Sequence, residues 1–162
     1  MKKNEAVILP GSYDPPTLGH LDMITRAAEQ YSEVYAVIFQ NPEKKYTFSL
    51  DERTRMLILA TDHLENVLVS SSSGLVIDYM REHGISKIIK GFRNETDLEY
   101  EKKQAEWNMR NGGYETELWP ADEALAHVSS TLARKKILDG EDTGELLSPE
   151  VADFINKLEQ SD

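Results

Sequence analysis

Short apolar runs rich in β-branched residues recur along this chain, and stretches of helical spacing separate them. That alternation limits the possible folds more than any other feature. Ala6–Leu9, Val34–Phe39, Val67–Ser70, Lys87–Ile89 and Thr116–Leu118 read as strands. The first, second and fourth lack a clean two-residue alternation, as expected of strands buried on both faces of a parallel sheet. Helix signals fill the gaps. Leu18, Leu21, Ile24, Ala27, Ala28 and Tyr31 recur at helical spacing, and Ser49 and Glu52 stand in capping-box register ahead of Leu57, Ile58 and Leu59. The stretch "GLVIDYMREHG" ends at Gly84, which suits a left-handed stop. "DLEYEKKQAEWNMRNGG" predicts a charged helix closed by Asn111-Gly112-Gly113, and "SSTLARKKILDG" predicts another. Ser148 as cap with Pro149 at the first helical position opens the last.

Five strands alternating with five or six helices predict a Rossmann-like α/β fold: a doubly wound, five-stranded parallel sheet with helices on both faces. At 162 residues the chain is expected to form one domain, residues 1–162, with a C-terminal helical segment of about 140–162 packed on it. It has no cysteine, so disulfides and thiolate metal sites are excluded. The apolar run near the N-terminus is too short for a signal sequence, and no run approaches a membrane span; the expectation is a soluble cytoplasmic protein. The net charge of -11 repels nucleic acid and anionic membranes at long range, so neither is expected as a partner. Small anions remain possible ligands, since a few local cations overrule the global field at contact distance. The acid is also uneven: from Asp139 onward eight acidic residues face a single lysine, Lys157.

In parallel sheets of this kind ligands bind at the carboxyl ends of the strands. Four strand-to-helix segments leave that edge: "PGSYDPPTLGH", "NPEKKYTF", "KGFRNETDLEYE" and "AHVSSTLARKK". The first contains neither GxGxxG nor GxxxxGK[ST]. Thr17 is a natural N-cap, which places His20 at the third helical position, facing the helix mouth. Free N–H groups and partial positive charge make that mouth an anion site. The same field disfavours imidazolium, so His20 is expected to be neutral and to donate one N–H. Gly19 leaves room for a phosphate to approach the backbone.

"TLGH" resembles the HxGH/TxGH signature of the nucleotidyltransferase superfamily, and "VSST" ahead of a helix with Arg134 resembles its second motif, which cradles the triphosphate. Within the superfamily, "LPGSYDPPTLGHLDMITRA", "NPEKKYTFSLDER", "KGFRNETDLEYE" and "AHVSSTLARK" together are similar to the bacterial phosphopantetheine adenylyltransferases, over nearly the whole chain. The resemblance implies transfer of the AMP part of ATP to 4′-phosphopantetheine, with Mg2+ arriving with ATP, in a cytoplasmic homohexamer of coenzyme A biosynthesis. It implies His20, Lys44 and Arg93 as catalytic residues. Ser12, Tyr13, His20, Gly91, Phe92, Arg93, Glu101 and the segment Leu125, Ala126, His127, Val128, Ser129, Ser130 and Thr131 fall to ATP. Ser12, Lys44, Val76, Lys90 and Asn108 fall to the acceptor.

The chemistry suits these residue types. The attacking phosphate monoester is already anionic, so donors and cations are needed and a general base is not. Three departures from the family pattern stand out: Lys90 replaces the usual arginine, "VSST" replaces "ISSS", and "TLGH" replaces "TNGH". No set of histidines and carboxylates has metal-ligand spacing, so no protein metal site is expected. His63 and His83 lie near helix ends and read as surface residues. Two other functions fit the same motifs: a nicotinamide mononucleotide adenylyltransferase, and a non-catalytic nucleotide-binding regulatory module.

Overall fold

The structure is a computed structural model and describes residues 2–161. Five strands, β1 (Lys3–Gly11), β2 (Tyr31–Phe39), β3 (Val67–Ser72), β4 (Lys87–Phe92) and β5 (Glu115–Pro120), form one sheet in the order β3-β2-β1-β4-β5. Every pairing is parallel. Between and after them run α1 (Leu18–Gln30), α2 (Leu50–Thr61), α3 (Val76–His83), α4 (Glu95–Gly112), α5 (Ser130–Leu138) and α6 (Pro149–Gln160). The chain winds outward from β1 to β3 and then returns to add β4 on the other side of β1. That reversal parts the loops leaving β1 and β4 and opens a cleft at their carboxyl ends.

The unbroken apolar runs follow from burial on two faces. Val7 and Leu9 of β1, Val34, Ala36 and Ile38 of β2 and Ile89 of β4 pack with Ile24, Ala27 and Ala28 of α1 and Leu57 of α2. The alternate residues Ile8, Val37 and Ile88 pack with Tyr79 and Met80 of α3. A third cluster joins Met56 and Ala60 of α2, Val128, Ala133 of α5, Leu146, Leu147 and Val151 and Ile155 of α6. The acidic C-terminal stretch is thereby anchored through its apolar face, and the carbonyl of Leu146 accepts the N–H of Leu18 at the start of α1 (2.8 Å).

Local chemistry sets the helix ends. Side-chain oxygens of Thr17, Ser49, Asn94, Ser129 and Ser148 each accept the amide three residues on. Gly84 and Gly113 stop α3 and α4 at φ of 65° and 73°. All five strands extend beyond the apolar cores that the sequence marks. Tyr31, expected on α1, opens β2 with extended backbone (φ -122°, ψ 152°), because its ring is fully buried in the sheet core and its hydroxyl donates to Glu117 (3.0 Å). Ile58 and Leu59 of α2 point away from the core and are exposed.

Candidate active site

The start of α1 forms one side of the site. Thr17 Oγ1 accepts the amide of His20, and the amide of Thr17 donates back to Nδ1 of His20 (2.9 Å). A capping box usually closes through Glu or Gln; here an imidazole does it. The bond fixes the tautomer. Nδ1 must hold a lone pair, so the proton sits on Nε2. Desolvation, then the charges of Lys90 and Arg93, lower the pKa of His20 to about 4, so the ring is neutral at physiological pH. Of the first amides of α1, Leu18 is satisfied by Leu146 and His20 by Thr17, which leaves the N–H of Gly19 free of any acceptor among the described residues.

A cavity of about 380 Å³ opens at this point. Its wall brings together Ser12 and Tyr13 from the loop after β1, Gly19 and His20 from α1, Lys90, Gly91 and Phe92 from β4, Arg93 just after it, and Leu125, Val128, Ser129, Ser130 and Thr131 before and in α5. The amides of Ser130 and Thr131 have no acceptor among the described residues, as at any helix start. Two helix N-termini therefore face one space. Close packing makes this possible: a Cβ on Gly91 would stand 3.1 Å from Cε of Met23, so α1 approaches β4 to a distance only glycine allows without displacement.

The cations are held by specific partners. The Lys90 ammonium donates to the carbonyl of Pro10 (3.3 Å) and lies 3.6 Å from Oε2 of Glu101. Glu101 is buried on α4; burial raises its pKa, Lys90 partly offsets this, and its Oε2 makes no hydrogen bond. Arg93 folds its Nε and its own amide onto Asp97 (both 3.1 Å), leaving the two terminal nitrogens without a protein acceptor among the described residues. Tyr13 is buried with its hydroxyl on the carbonyl of Leu9 (2.7 Å), and burial raises its pKa; its backbone adopts φ 49°, in the left-handed region. Only the main chain of Tyr13 is thus free to meet a ligand.

Other expected residues lie off the cavity wall. Lys44 is exposed on the segment between β2 and α2, beside a second, shallower pocket lined by Gln40, Asn41, Tyr46, Phe48 and Arg53. Val76 starts α3 and packs against its core cluster, Asn108 is half-buried on α4, and His127 is exposed beside half-buried Ala126. Arg134 holds the loop after β1 from above: it donates to the carbonyl of Asp14 (2.8 Å) and to Thr131 Oγ1 (3.1 Å), while Ser130 donates to the carbonyl of Pro15 (2.8 Å).

Two residues escape the sequence reading. Asp14 is buried, its carboxylate accepting the amides of Thr47 and Phe48 (2.8 and 2.9 Å). Arg53 is 1% exposed. A signal for Arg53 does exist, since it shares the core-facing helical register with Met56, Leu57 and Ala60. Its flanking acids disguise it as solvated surface.

The sequence profile of the cytidylyltransferase-like family matches residues 8–136, which span every element of the cavity wall. The chain is 42% identical over 151 residues to the phosphopantetheine adenylyltransferase of Corynebacterium glutamicum (strain R), covering 93% of this chain and 94% of that one. It is 41% identical over the same length to that of Corynebacterium efficiens, covering 95% of the relative. The chain belongs to the phosphopantetheine adenylyltransferase family. The fold of this family member is also that of a solved Vibrio parahaemolyticus protein assigned as a nicotinate-nucleotide adenylyltransferase. The TM-score is 0.70, with 96% of this chain and 93% of that one covered, at 15% identity. Among the described residues there is no cluster of three metal-ligating side chains. The one carboxylate on the cavity wall, Asp97, is already engaged by Arg93.

Proposed function

We propose that the protein transfers the adenylyl group of ATP to 4′-phosphopantetheine, giving dephospho-coenzyme A and pyrophosphate. The observation that carries this reading is the likeness to phosphopantetheine adenylyltransferases over 93% of the chain. The cavity supports the chemistry. An oxygen of the acceptor's phosphate attacks the α-phosphorus of ATP, a new P–O bond forms, the bond to the bridging oxygen breaks, and pyrophosphate leaves. The nucleophile is anionic at neutral pH, so no base takes part. What the transition state needs is charge compensation on the α-phosphoryl oxygens and on the leaving group.

In this reading the His20 Nε2–H donates to an α-phosphoryl oxygen, with the Gly19 amide beside it. The Ser130 and Thr131 amides and the terminal nitrogens of Arg93 take the β- and γ-phosphates. Lys90 meets the acceptor's phosphate with N–H groups that the Pro10 carbonyl leaves over, and Lys44 reaches it from the neighbouring segment. Ser12, Tyr13, Gly91, Phe92, Glu101 and the segment Leu125–Thr131 complete the nucleotide side; Val76 and Asn108 belong to the pantetheine arm. Magnesium would arrive with ATP and would supply neutralisation of the phosphate charge. The whole chain acts as a single domain, as a homohexamer in the cytoplasm. Among the described residues no helix is long and apolar enough to cross a membrane.

The test is pyrophosphate release from ATP with phosphopantetheine and nicotinamide mononucleotide as rival acceptors. Release with phosphopantetheine alone is the expected result. Release only with the mononucleotide overturns the acceptor, and nucleotide binding without release from either overturns catalysis. Light scattering that finds an 18.4 kDa species at micromolar concentration overturns the hexamer.

A further inference from the structure

Arg53 is among the most deeply buried large side chains of the molecule, at 1% exposed, and no carboxylate pairs with it among the described residues. Its guanidinium spreads over neutral acceptors instead. Nε donates to the carbonyl of Phe48 (3.0 Å), one terminal nitrogen to the carbonyl of Ser12 (3.0 Å) and the other to Oε1 of Gln40 (3.1 Å). Its central carbon stands 3.9 Å from the centre of the Tyr46 ring. These contacts join the loop after β1, the end of β2, the segment that carries Lys44 and the start of α2.

Burying a guanidinium without a counter-charge is unfavourable, and an apolar side chain would fill an ordinary core position as well. A planar fork does something an apolar group cannot: it fixes one loop's carbonyl relative to another loop. Tyr46 carries the link onward. Its hydroxyl accepts the amide of Asn41 (2.8 Å), and the carbonyl of Asn41 accepts the amide of Lys44 (3.0 Å). The Lys44 ammonium itself lies 5.5 Å from the centre of the same ring. Asp14 clamps the joint from the cleft side through the amides of Thr47 and Phe48.

We infer that Arg53 is a positioning residue, which locks the segment bearing Lys44 to the loop bearing Ser12 and so sets the reach of the Lys44 cation toward the nucleotide cleft. The inference rests on the reading of Lys44 as an acceptor-side cation. Arg53 touches neither substrate; it acts through Tyr46 and Ser12.

Two variants test it. Arg53→Lys keeps the charge and loses the fork, and Tyr46→Leu leaves the guanidinium in place and removes the ring that ties Lys44 to it. The expected result for each is a rise in the phosphopantetheine KM of about tenfold, as for a displaced positioning contact, with the ATP KM moving less than about twofold. In a Lys44→Ala background neither variant should raise the acceptor KM further, a non-additivity that a loss of stability does not produce. Equal rises in both KM values, or costs that add to that of Lys44→Ala, overturn the inference. If Arg53→Lys fails to fold, Tyr46→Leu decides alone. Absence of any turnover of phosphopantetheine by the unaltered protein sinks the functional reading instead. The joint is then read by hydrogen exchange at the Asn41 and Lys44 amides, where Tyr46→Leu should speed exchange and unchanged exchange overturns the link.

Discussion

One proton position on His20 decides how the site works. Because the Thr17 amide occupies Nδ1, the only ring N–H available to a ligand is on Nε2. His20→Ala should lower kcat by on the order of 10²–10³, the usual cost of one donor to developing oxyanion charge, with ATP affinity by calorimetry falling much less. The two amide replacements should differ. Glutamine carries its NH2 near the place of Nε2 and should recover part of the rate, whereas asparagine mimics the Nδ1 side and should not. Equal rescue by both would refute the tautomer. The pKa of about 4 adds a pH signature. A histidine with a lowered pKa stays neutral until pH falls well below its ordinary range, so kcat should show no limb near pH 6.5 that disappears in His20→Gln. If Lys90, held by Pro10 and Glu101, serves the acceptor's phosphate as proposed, Lys90→Ala should raise the phosphopantetheine KM while the ATP KM stays nearly constant; an equal rise in both would put it on the nucleotide side. His20 itself is legible in the sequence, as a third-position residue behind a threonine cap. Its Nδ1 partner is not, because that partner is a backbone amide with no sequence signature.

Among the elements, α3 and α4 meet at a contact that leaves no room for a side chain. A Cβ on Gly112 would lie 2.9 Å from Cγ2 of Ile77 and 2.9 Å from Cδ2 of Tyr114. Ile77 is buried and β-branched, so it cannot swing aside. Gly112→Ala should destabilise the protein by about 1–3 kcal/mol through overpacking, more than the gain of up to ~1 kcal/mol that alanine brings to a helix. Chemical denaturation measures the balance, and a stabilised variant would show that the two helices part freely. The sequence marks Gly112 and Gly113 only as a helix stop; that one of them is also a packing site depends on Ile77, distant along the chain. The same limit explains the strands. Their cores are legible because burial on two faces demands continuous apolar residues, but their ends, such as Tyr31 and Phe92, are set by pairing with neighbours. It explains Arg53 too, whose burial follows from three acceptors contributed by three separate segments.

Across the whole molecule the two ends of the sheet carry different burdens. The carboxyl ends of β1 and β4 and the helix starts above them hold free amides and cations that face the cleft, whereas Tyr31 and Lys87, which open β2 and β4, belong to a polar network satisfied within the protein. There Glu117 of β5 accepts from Lys87 of β4 (2.7 Å) and Tyr31 of β2 (3.0 Å) through one oxygen and from the Trp119 indole (3.0 Å) through the other. Desolvation pushes the Glu117 pKa up, but the hydrogen bonds from Lys87, Trp119 and Tyr31 outweigh it and the net shift is downward. Lys87 is shifted the other way, chiefly by its hydrogen bond to Glu117. Glu117→Gln removes the charge and one of the two acceptor oxygens, so its NH2 must face either the Lys87 ammonium and Tyr31 hydroxyl or the Trp119 indole, all of them donors to Glu117 in the unaltered protein. It should cost about 1–3 kcal/mol, a drop of several degrees in Tm for a chain of this length. The signs of the shifts define the window. A carboxylate with a lowered pKa contributes stability above its unfolded value, about 4.3, and loses it as pH falls through the folded value; a lysine with a raised pKa contributes below about 10.4 and loses it as pH rises through its own folded value. The gap in Tm between the unaltered protein and Glu117→Gln should therefore stay constant from about pH 5 to about pH 10 and close below about pH 4. Because none of Tyr31, Lys87, Glu117 and Trp119 is on the cavity wall, kcat and both KM values at pH 7.5 should be those of the unaltered protein. A Tm gap that widens on acidification would contradict the lowered Glu117 pKa, and a change in either KM would show that the two ends of the sheet are not independent.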